Sequence, residues 1–285
     1  MPSEIRPIRA SDDVTRFGPM HGPDTDSPRR SRSFVAIVDG DIVGVVTELR
    51  SVRHPDVAQA MGSVDRAFRR RSIGTALLRA IEQATSVPLM FMTEDPDPLG
   101  PTFLAARGYT VANESWTERF DVRVALDALG LAAAPAGVTI DATIMTRDLA
   151  DLFDLVYGER HRWAGRYTPP AGTPWITFAG LIAPPTLHVA TLDGEPIAAA
   201  CVTTGVFSEA ADGFVPPTGV VGGAIGDPTA VMRALLRRTL VAAAAVGFDT
   251  LNLEHDTPYT EFGAIMRDVP AVPVNHRSIW MSRRP

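Results

Sequence analysis

Three consecutive arginines, Arg69-Arg70-Arg71, run directly into Ser72-Ile73-Gly74-Thr75-Ala76-Leu77-Leu78. Guanidinium groups are bidentate phosphate donors. The first turn of a helix carries unpaired N–H groups, and small residues there let an anion come close to the backbone. The chemistry indicated is the binding of a phosphate or pyrophosphate. Arg69, Arg70 and Arg71 supply charge, and the backbone of Ser72, Ile73, Gly74, Thr75 and Ala76 supplies donors. The plain alternative is a solvated basic helix start.

Groups able to move a proton are scattered along the chain. In the first half they are Glu48, His54, Glu94 and Asp95. Glu94 and Asp95 follow the apolar run Val87–Thr93, at the strand end where α/β folds gather ligand groups. Each also fits a solvated loop. In the second half, Tyr157, Glu159, His161, Trp163, Tyr167 and Trp175 fall in a segment punctuated by Pro and Gly. They could line a pocket for a second substrate, or pin that segment to the core. Glu254-His255 is a further acid/base candidate. The histidines show no HxxxH-like spacing, so no metal site is expected. Cys201 sits in the apolar run Ile197–Val202 and reads as a buried, inert thiol.

The basic residues narrow the chemistry further, because the sequence contains no lysine; all 27 Lys+Arg are arginine. That removes lysine Schiff bases, the lysine of a P-loop NTPase and the strand lysine of a protein kinase. A net charge of −6 argues against a nucleic-acid partner and favours a neutral or cationic small substrate. The start of the chain has no apolar signal core, and no run reaches the ~18 residues of a membrane span. With a single cysteine, the expectation is a cytoplasmic protein that engages no membrane.

The elements that must position these groups follow from periodicity and turn residues. Ile5–Arg9 reads as a strand, followed by a short helix through Val14 and Phe17 and a polar, Pro-rich loop. Ser33–Val38 and Ile42–Thr47 flank Asp39-Gly40 as a hairpin. A strand at Val57–Val64 leads into the arginine run. Apolar residues at Ile73, Ala76, Leu77, Ala80 and Ile81 give helical spacing over Ser72–Thr85. Val87–Thr93 is a buried strand, Pro101–Arg107 a helix, and Tyr109–Val111 opens another strand. Leu126–Gly137 is rich in Ala, Gly and Pro and reads as a linker. The order then repeats: strand 138–140, helix 148–157, hairpin 187–203 around Asp193-Gly194, strand 219–225, helix 228–245, strand 250–254 and helix 259–266. A repeat of this kind makes two domains of similar architecture.

The stretch Val64 to Leu78 resembles the acyl-CoA-binding motif of the GNAT N-acetyltransferase superfamily, Arg/Gln-x-x-Gly-x-Gly/Ala, between a strand and an amphipathic helix. Arg69 takes the first position, Ser72 the first Gly and Gly74 the second. A slipped match, Arg71-x-x-Gly74-x-Ala76, also fits the letters. Gly108-Tyr109 resembles the family's Gly-Phe, and the likeness covers roughly residues 3–120. It implies an α/β (α+β) fold of two GNAT-like domains, each a mixed, mostly antiparallel sheet flanked by helices. Residues 1–126 would be the catalytic acyl-CoA-binding domain and 127–137 a linker. Residues 138–285 would be a degenerate copy with an acceptor-binding or structural role. There Asp227 stands where phosphate should sit and reads as an N-cap before Pro228.

The activity implied is acyl-CoA-dependent N-acyl transfer, with acetyl-CoA the expected cosubstrate and no metal. A small-molecule amine would attack directly in a ternary complex. The protein would be a monomer with an internal pseudo-dimer, or a homodimer. Ser63, Val64 and Asp65 would line the pantetheine arm. The family's leaving-group tyrosine falls at about Leu104 and is absent. The departures at Ser72 and Leu104 keep a non-catalytic acyl-CoA-binding or sensing protein open as the alternative, and catalysis in the second half is a third possibility.

Overall fold

The computed structural model describes residues 4–24, 31–95, 99–169, 181–204, 213–215, 227–257 and 260–282. The chain divides into two compact units. One comprises Met1–Ala112, Ala164–Thr168 and Ser278–Pro285, and the other Asn113–Trp163 and Pro169–Arg277.

In the first unit, β1 (Glu4–Pro7), β2 (Ser31–Val38), β3 (Asp41–Arg50), β4 (Ala58–Val64) and β5 (Leu89–Glu94) lie side by side in that order. The pairs are antiparallel from β1 to β4, and β4 runs parallel to β5. Asp39 and Gly40 make the β2–β3 turn with positive φ at both residues, as a two-residue hairpin of this twist requires. Helix α1 (Ile73–Ala84) buries Ile73, Leu77, Leu78 and Ile81 against Val43, Val46, Ala58 and Ala60 of the sheet. Ile73, Leu77 and Ile81 lie on the stripe read from the sequence; Leu78 is buried with them, while Ala76 and Ala80 are only half-buried. Helix α2 (Leu99–Ala105) contributes Leu104 to the same core, and Ile8, Val14, Val35 and Val45 form a smaller cluster. The end of the last strand, from Ser278 on, belongs to this unit and lies beside β5. Ser282 N–H donates to Leu89 O (3.0 Å) and Leu89 N–H to Ser282 Oγ (2.9 Å).

In the second unit, β7 (Val138–Ala142), β8 (His188–Leu192) and β9 (Glu195–Ala200) form an antiparallel sheet, with Asp193-Gly194 repeating the positive-φ hairpin turn. A second group of strands runs β12 (Val272–Met281), β6 (Thr110–Asp121), β11 (Thr250–Asp256) and β10 (Gly213–Val215), with the parts of β12 and β6 that fall in this unit. Helix α4 (Arg147–Arg160) packs on β9, α5 (Pro228–Ala245) on β8 and β9, and α6 (Thr260–Met266) on α5. Their core includes Phe153, Leu235, Leu240 and Cys201. Cys201 is fully buried, which pushes its thiol up and keeps it inert.

Two stretches differ from the sequence reading. The strand expected to open at Tyr109 continues to Asp121. Asp121 then caps a helix, α3 (Val122–Leu129), accepting from the N–H groups of Arg123 and Val124. Val122, Ala125 and Leu129 bury one face of it, and it stops at Gly130 with φ 60. Residues 127–129, read as the start of a linker, therefore continue a packed helix. The strand expected over 219–225 lies outside the described residues.

Candidate functional site

The first unit's sheet opens where the motif begins. β4 pairs with β3 along its whole length, from Ala58–Arg50 to Val64–Gly44. With β5 it pairs only at Ala58–Leu89, Gln59–Met90 and Ala60–Phe91, although β5 continues to Glu94. Ala58 N–H donates to Pro88 O (3.0 Å), and N–H groups alternate sides along a strand. The N–H groups of Gly62 and Val64 thus face the side from which β5 has departed. On the other side contact is tight: a Cβ on Gly62 would stand 2.9 Å from Val45 O. Ser63 is exposed at this mouth. Asp65 has its N–H on Val43 O (2.9 Å) and its carboxylate on Arg16 (2.8 Å), so it anchors the strand end and offers no spare amide.

A 3-10 turn over Arg66–Phe68 follows, and Arg69 donates from Nε to Val64 O (3.0 Å). Arg70 and Ser72 both adopt left-handed backbone, with φ of 62 and 63. Left-handed residues in a turn direct successive N–H groups into one concavity, the geometry of an anion nest. The first bond of α1 runs from Ala76 N–H to Ser72 O, which leaves Ile73, Gly74 and Thr75 N–H at the helix mouth. Arg71 lies over the Phe68 ring (5.3 Å), and Arg69, Arg70 and Arg71 are all exposed. The open N–H groups of β4, the left-handed Arg70 and Ser72, the mouth of α1 and three exposed arginines thus fall within residues 62–76.

Position 72 carries the conformation that suits glycine, which favours the register with Arg69, Ser72 and Gly74. Gly74 serves a different purpose from close phosphate approach. Its absent Cβ would stand 3.2 Å from Phe103 Cε2, so the glycine lets α1 meet α2. Sequence reading also missed Arg107. Its guanidinium stacks on Phe103 (3.6 Å), donates to Phe103 O (2.8 Å) and reaches Thr75 Oγ1 in the first turn of α1. Arg107 and Thr75 are 32 residues apart, so no local pattern joins them.

Of the proton-moving candidates, Glu48 is wholly buried in β3, opposite Ala60 of β4 where pairing with β5 ends. Its Oε1 lies 3.3 Å from Arg50 Nε, and its Oε2 is buried without a hydrogen-bond partner. His54 is buried, with its ring 5.7 Å from that of Tyr167. Glu94 and Asp95 are exposed at the end of β5. His21, not singled out from sequence, bonds Thr47 Oγ1 (2.8 Å), and burial lowers its affinity for a proton. Leu104 is buried in the core. Tyr109 donates its hydroxyl to Glu82 (2.9 Å), and burial raises it far above the usual phenol range.

In the second unit Asp227 caps α5, accepting from Ala230 N–H (2.9 Å) with Pro228 following. The aromatic segment divides. Tyr157, His161 and Trp163 come together, Glu159 pairs with Arg162 (2.5 Å), and Tyr167 belongs to the first unit beside His54. Trp175 lies outside the described residues. Glu254 accepts from Ser115 Oγ (2.7 Å), while His255 stacks on Trp116 (5.4 Å) and lies 3.3 Å from Glu118. Among the described residues no group of three or more His, Cys, Asp or Glu could hold a metal ion, and no helix is long and apolar enough to cross a membrane.

The model of the acetyltransferase (GNAT) family matches residues 5–86, a stretch that contains the arginine run and the first turn of α1. No curated protein matches the chain. Among solved structures, a tandem GNAT protein from the clavulanic acid biosynthesis pathway is similar at 17% identity and TM-score 0.58, covering 99% of this chain and 98% of that one. A GCN5-related N-acetyltransferase from Sphaerobacter thermophilus is similar at 16% identity and TM-score 0.57, covering 89% and 81%. The glucosamine N-acetyltransferase region of a fungal multi-domain GH3 beta-N-acetylglucosaminidase is similar at 14% and 0.63, covering 98% of this chain but 38% of that one. At these identities the likeness is one of fold, and that fold is the tandem GNAT arrangement of mixed sheets flanked by helices.

Proposed function

We propose that this chain, with its GNAT acetyltransferase region at residues 5–86, is an acyl-CoA-dependent N-acyltransferase that moves an acetyl group from acetyl-CoA to a small-molecule amine. The observation that carries this reading is the parting of β4 from β5 after Ala60–Phe91, directly before the left-handed Arg70 and Ser72 and the mouth of α1. An acyl-CoA needs a slot that takes a thioester arm at one end and a pyrophosphate at the other. This part of the chain offers both, joined by a few residues.

Acetyl-CoA supplies the activated acyl carbon. The chain's part is to bind, polarise and deprotonate. Gly62 and Val64 N–H face the gap and suit the thioester oxygen, where charge develops during attack. The Arg70–Thr75 backbone, with Arg69, Arg70, Arg71 and Arg107, suits the pyrophosphate. Glu48 is our choice of base, because it is buried opposite Ala60, where the β4–β5 pairing ends, with one carboxylate oxygen unspent. The ammonium gives one proton to Glu48, the freed amine attacks the carbonyl carbon and the C–S bond breaks; with no acid at position 104, the leaving thiolate takes up the second N–H proton and departs as the thiol. The second unit, with Asp227 at the mouth of α5, has a carboxylate where an anion would need donors. We assign it no CoA site. The amine lies in the class a glucosamine acetyltransferase uses, as one of the similar structures does.

A second reading is a non-catalytic acyl-CoA sensor, favoured by the buried Leu104 where the family's acid would stand. The test is thiol release from acetyl-CoA across a panel of amines that includes amino sugars, run beside calorimetric titration of acetyl-CoA. Saturable release, lost together with binding in Arg70→Ala/Arg71→Ala, is the expected result. Binding with no release across the panel identifies the sensor, and no binding defeats both readings.

A further inference from the structure

Asp65 is the one acidic residue in the stretch 62–76, which also carries Arg66, Arg69, Arg70 and Arg71. Four cations thus stand close to it in the chain. The structure pairs its carboxylate instead with Arg16, from the 3-10 turn Thr15–Phe17, at 2.8 Å between Nη2 and Oδ2.

Both partners are fixed by the fold around them. Arg16 Nη2 also donates to Ile42 O near the start of β3, and its guanidinium lies over the Phe17 ring (4.9 Å). Phe17 in turn packs on the cluster of Ile8, Val14, Val35 and Val45. Asp65 N–H donates to Val43 O (2.9 Å), and Asp65 O accepts from Phe68 N–H (2.8 Å). The ion pair adds little to stability, because its side chains are 55% and 32% exposed. What it decides is where the carboxylate points. Arg69 Nε donates to Val64 O (3.0 Å), the carbonyl of the peptide that ends in Asp65 N–H. A carboxylate released from Arg16 starts one Cα away from that contact. A carboxylate and a phosphate compete for the same guanidinium donors, and a free carboxylate also repels a bound anion.

We propose that Arg16 is a positioning residue for the anion-binding turn. It holds the Asp65 carboxylate away from Arg69, Arg70 and Arg71, and so leaves those guanidiniums to the pyrophosphate of the acyl-CoA. The role rests on the acyl-CoA reading of this turn, and Arg16 itself touches no ligand.

The test is calorimetric titration of the full chain with acetyl-CoA and, separately, inorganic pyrophosphate. Arg16→Gln should weaken acetyl-CoA binding by about tenfold, the loss of one arginine–phosphate contact. Arg16→Gln/Asp65→Asn should recover to within about threefold of the parent, because the competing acid is gone. Arg16→Gln/Asp39→Asn restores the same net charge but leaves Asp65 unpaired, so it should stay weak. The salt dependence of binding should flatten in Arg16→Gln and return only with Asp65→Asn. A merely structural Arg16 would leave both double variants weak. Unchanged affinity in Arg16→Gln, no recovery with Asp65→Asn, or equal recovery with Asp39→Asn overturns the proposal. If Arg16→Gln does not fold, Arg16→Met, whose stem still covers Phe17, takes its place under the same criteria. Pyrophosphate separates this role from the reading beneath it. A parent that binds pyrophosphate but not acetyl-CoA defeats the transferase reading, and the same variants titrated with pyrophosphate then decide the role of Arg16. A parent that binds neither overturns both.

Discussion

Arg70 and Ser72 stand one residue apart with the same left-handed backbone, φ 62 and 63, at the mouth of α1. A side chain in this region costs about 1–2 kcal/mol, and glycine escapes that cost while losing about 0.5–1 kcal/mol to its freer unfolded chain. Ser72→Gly should therefore stabilise the protein by about 0.5–1 kcal/mol, a rise in Tm of roughly 1–4 °C. Ser72→Val should lower it. Thermal melting checks both, and the stabilising shift from acetyl-CoA should persist in Ser72→Gly, whose backbone keeps the same donors.

Glu48 gives a prediction in which stability and activity move in opposite directions. Its buried Oε2 has no partner, and a buried carboxylate left part-satisfied is a standing cost. Glu48→Gln should raise Tm while lowering turnover by about 10²-fold, with acetyl-CoA affinity nearly unchanged. A purely structural Glu48 would lose stability and keep its rate. Melting and thiol-release kinetics on the one variant separate the two.

Arg107 reaches Thr75 across the α1–α2 contact and brings a fourth guanidinium toward the helix mouth. A charge-assisted bond to phosphate contributes about 1.5–3 kcal/mol, so Arg107→Gln should weaken acetyl-CoA binding by about tenfold or more. The salt dependence of binding should also flatten. Titration at low and high ionic strength checks this. An unchanged affinity would leave Arg107 as a packing residue on Phe103.

Local pattern was enough for much of the fold. The stripe Ile73, Leu77, Ile81, the Asp39-Gly40 and Asp193-Gly194 turns and the Asp227-Pro228 cap each encode their element within a few residues. The arginine run and the helix it feeds were legible for the same reason. The Ser72 backbone was not, because nothing in a serine announces positive φ; the turn between Asp65 and α1 imposes it. The Gly74–Phe103 and Arg107–Thr75 contacts join residues about thirty positions apart, and Arg16–Asp65 joins residues further apart still. Helix α3 was hidden by its Ala- and Gly-rich surroundings. Its start lies in the Asp121 cap, upstream of the stretch whose composition suggested a linker.

Asp12 supplies the acid limb of stability. It accepts two bonds from Arg6 (2.7 and 2.8 Å) and one from Arg9 N–H (2.7 Å), and the Arg6 bonds chiefly hold it down to about 2. Its unfolded value is about 3.9. A carboxyl depressed by folding contributes stability that is fully present above the unfolded value and is lost as pH falls through the folded one. Asp12→Asn should therefore be less stable at neutral pH, and its Tm should converge on the parent's as pH falls from about 4 toward 2. Parallel melts across that range check the sign.

The last strand tests how the first unit is completed. Ser282 exchanges two hydrogen bonds with Leu89, and Trp280 Nε1 donates to Thr93 Oγ1 (3.0 Å). These residues cover the β5 edge, which would otherwise present unpaired N–H and C=O groups. Each bond contributes about 0.5–1.5 kcal/mol, and Trp280 also adds apolar area against the α1 core. Ser282→Ala should cost about 1 kcal/mol. Truncation after Arg277 should cost far more, lower Tm and promote association through the bared edge. A chain cut after residue 126 lacks the same strand, so it should share the association seen with the truncation. Light scattering alongside melting checks both, and a monomeric, equally stable truncation would show that the β5 edge needs no cover.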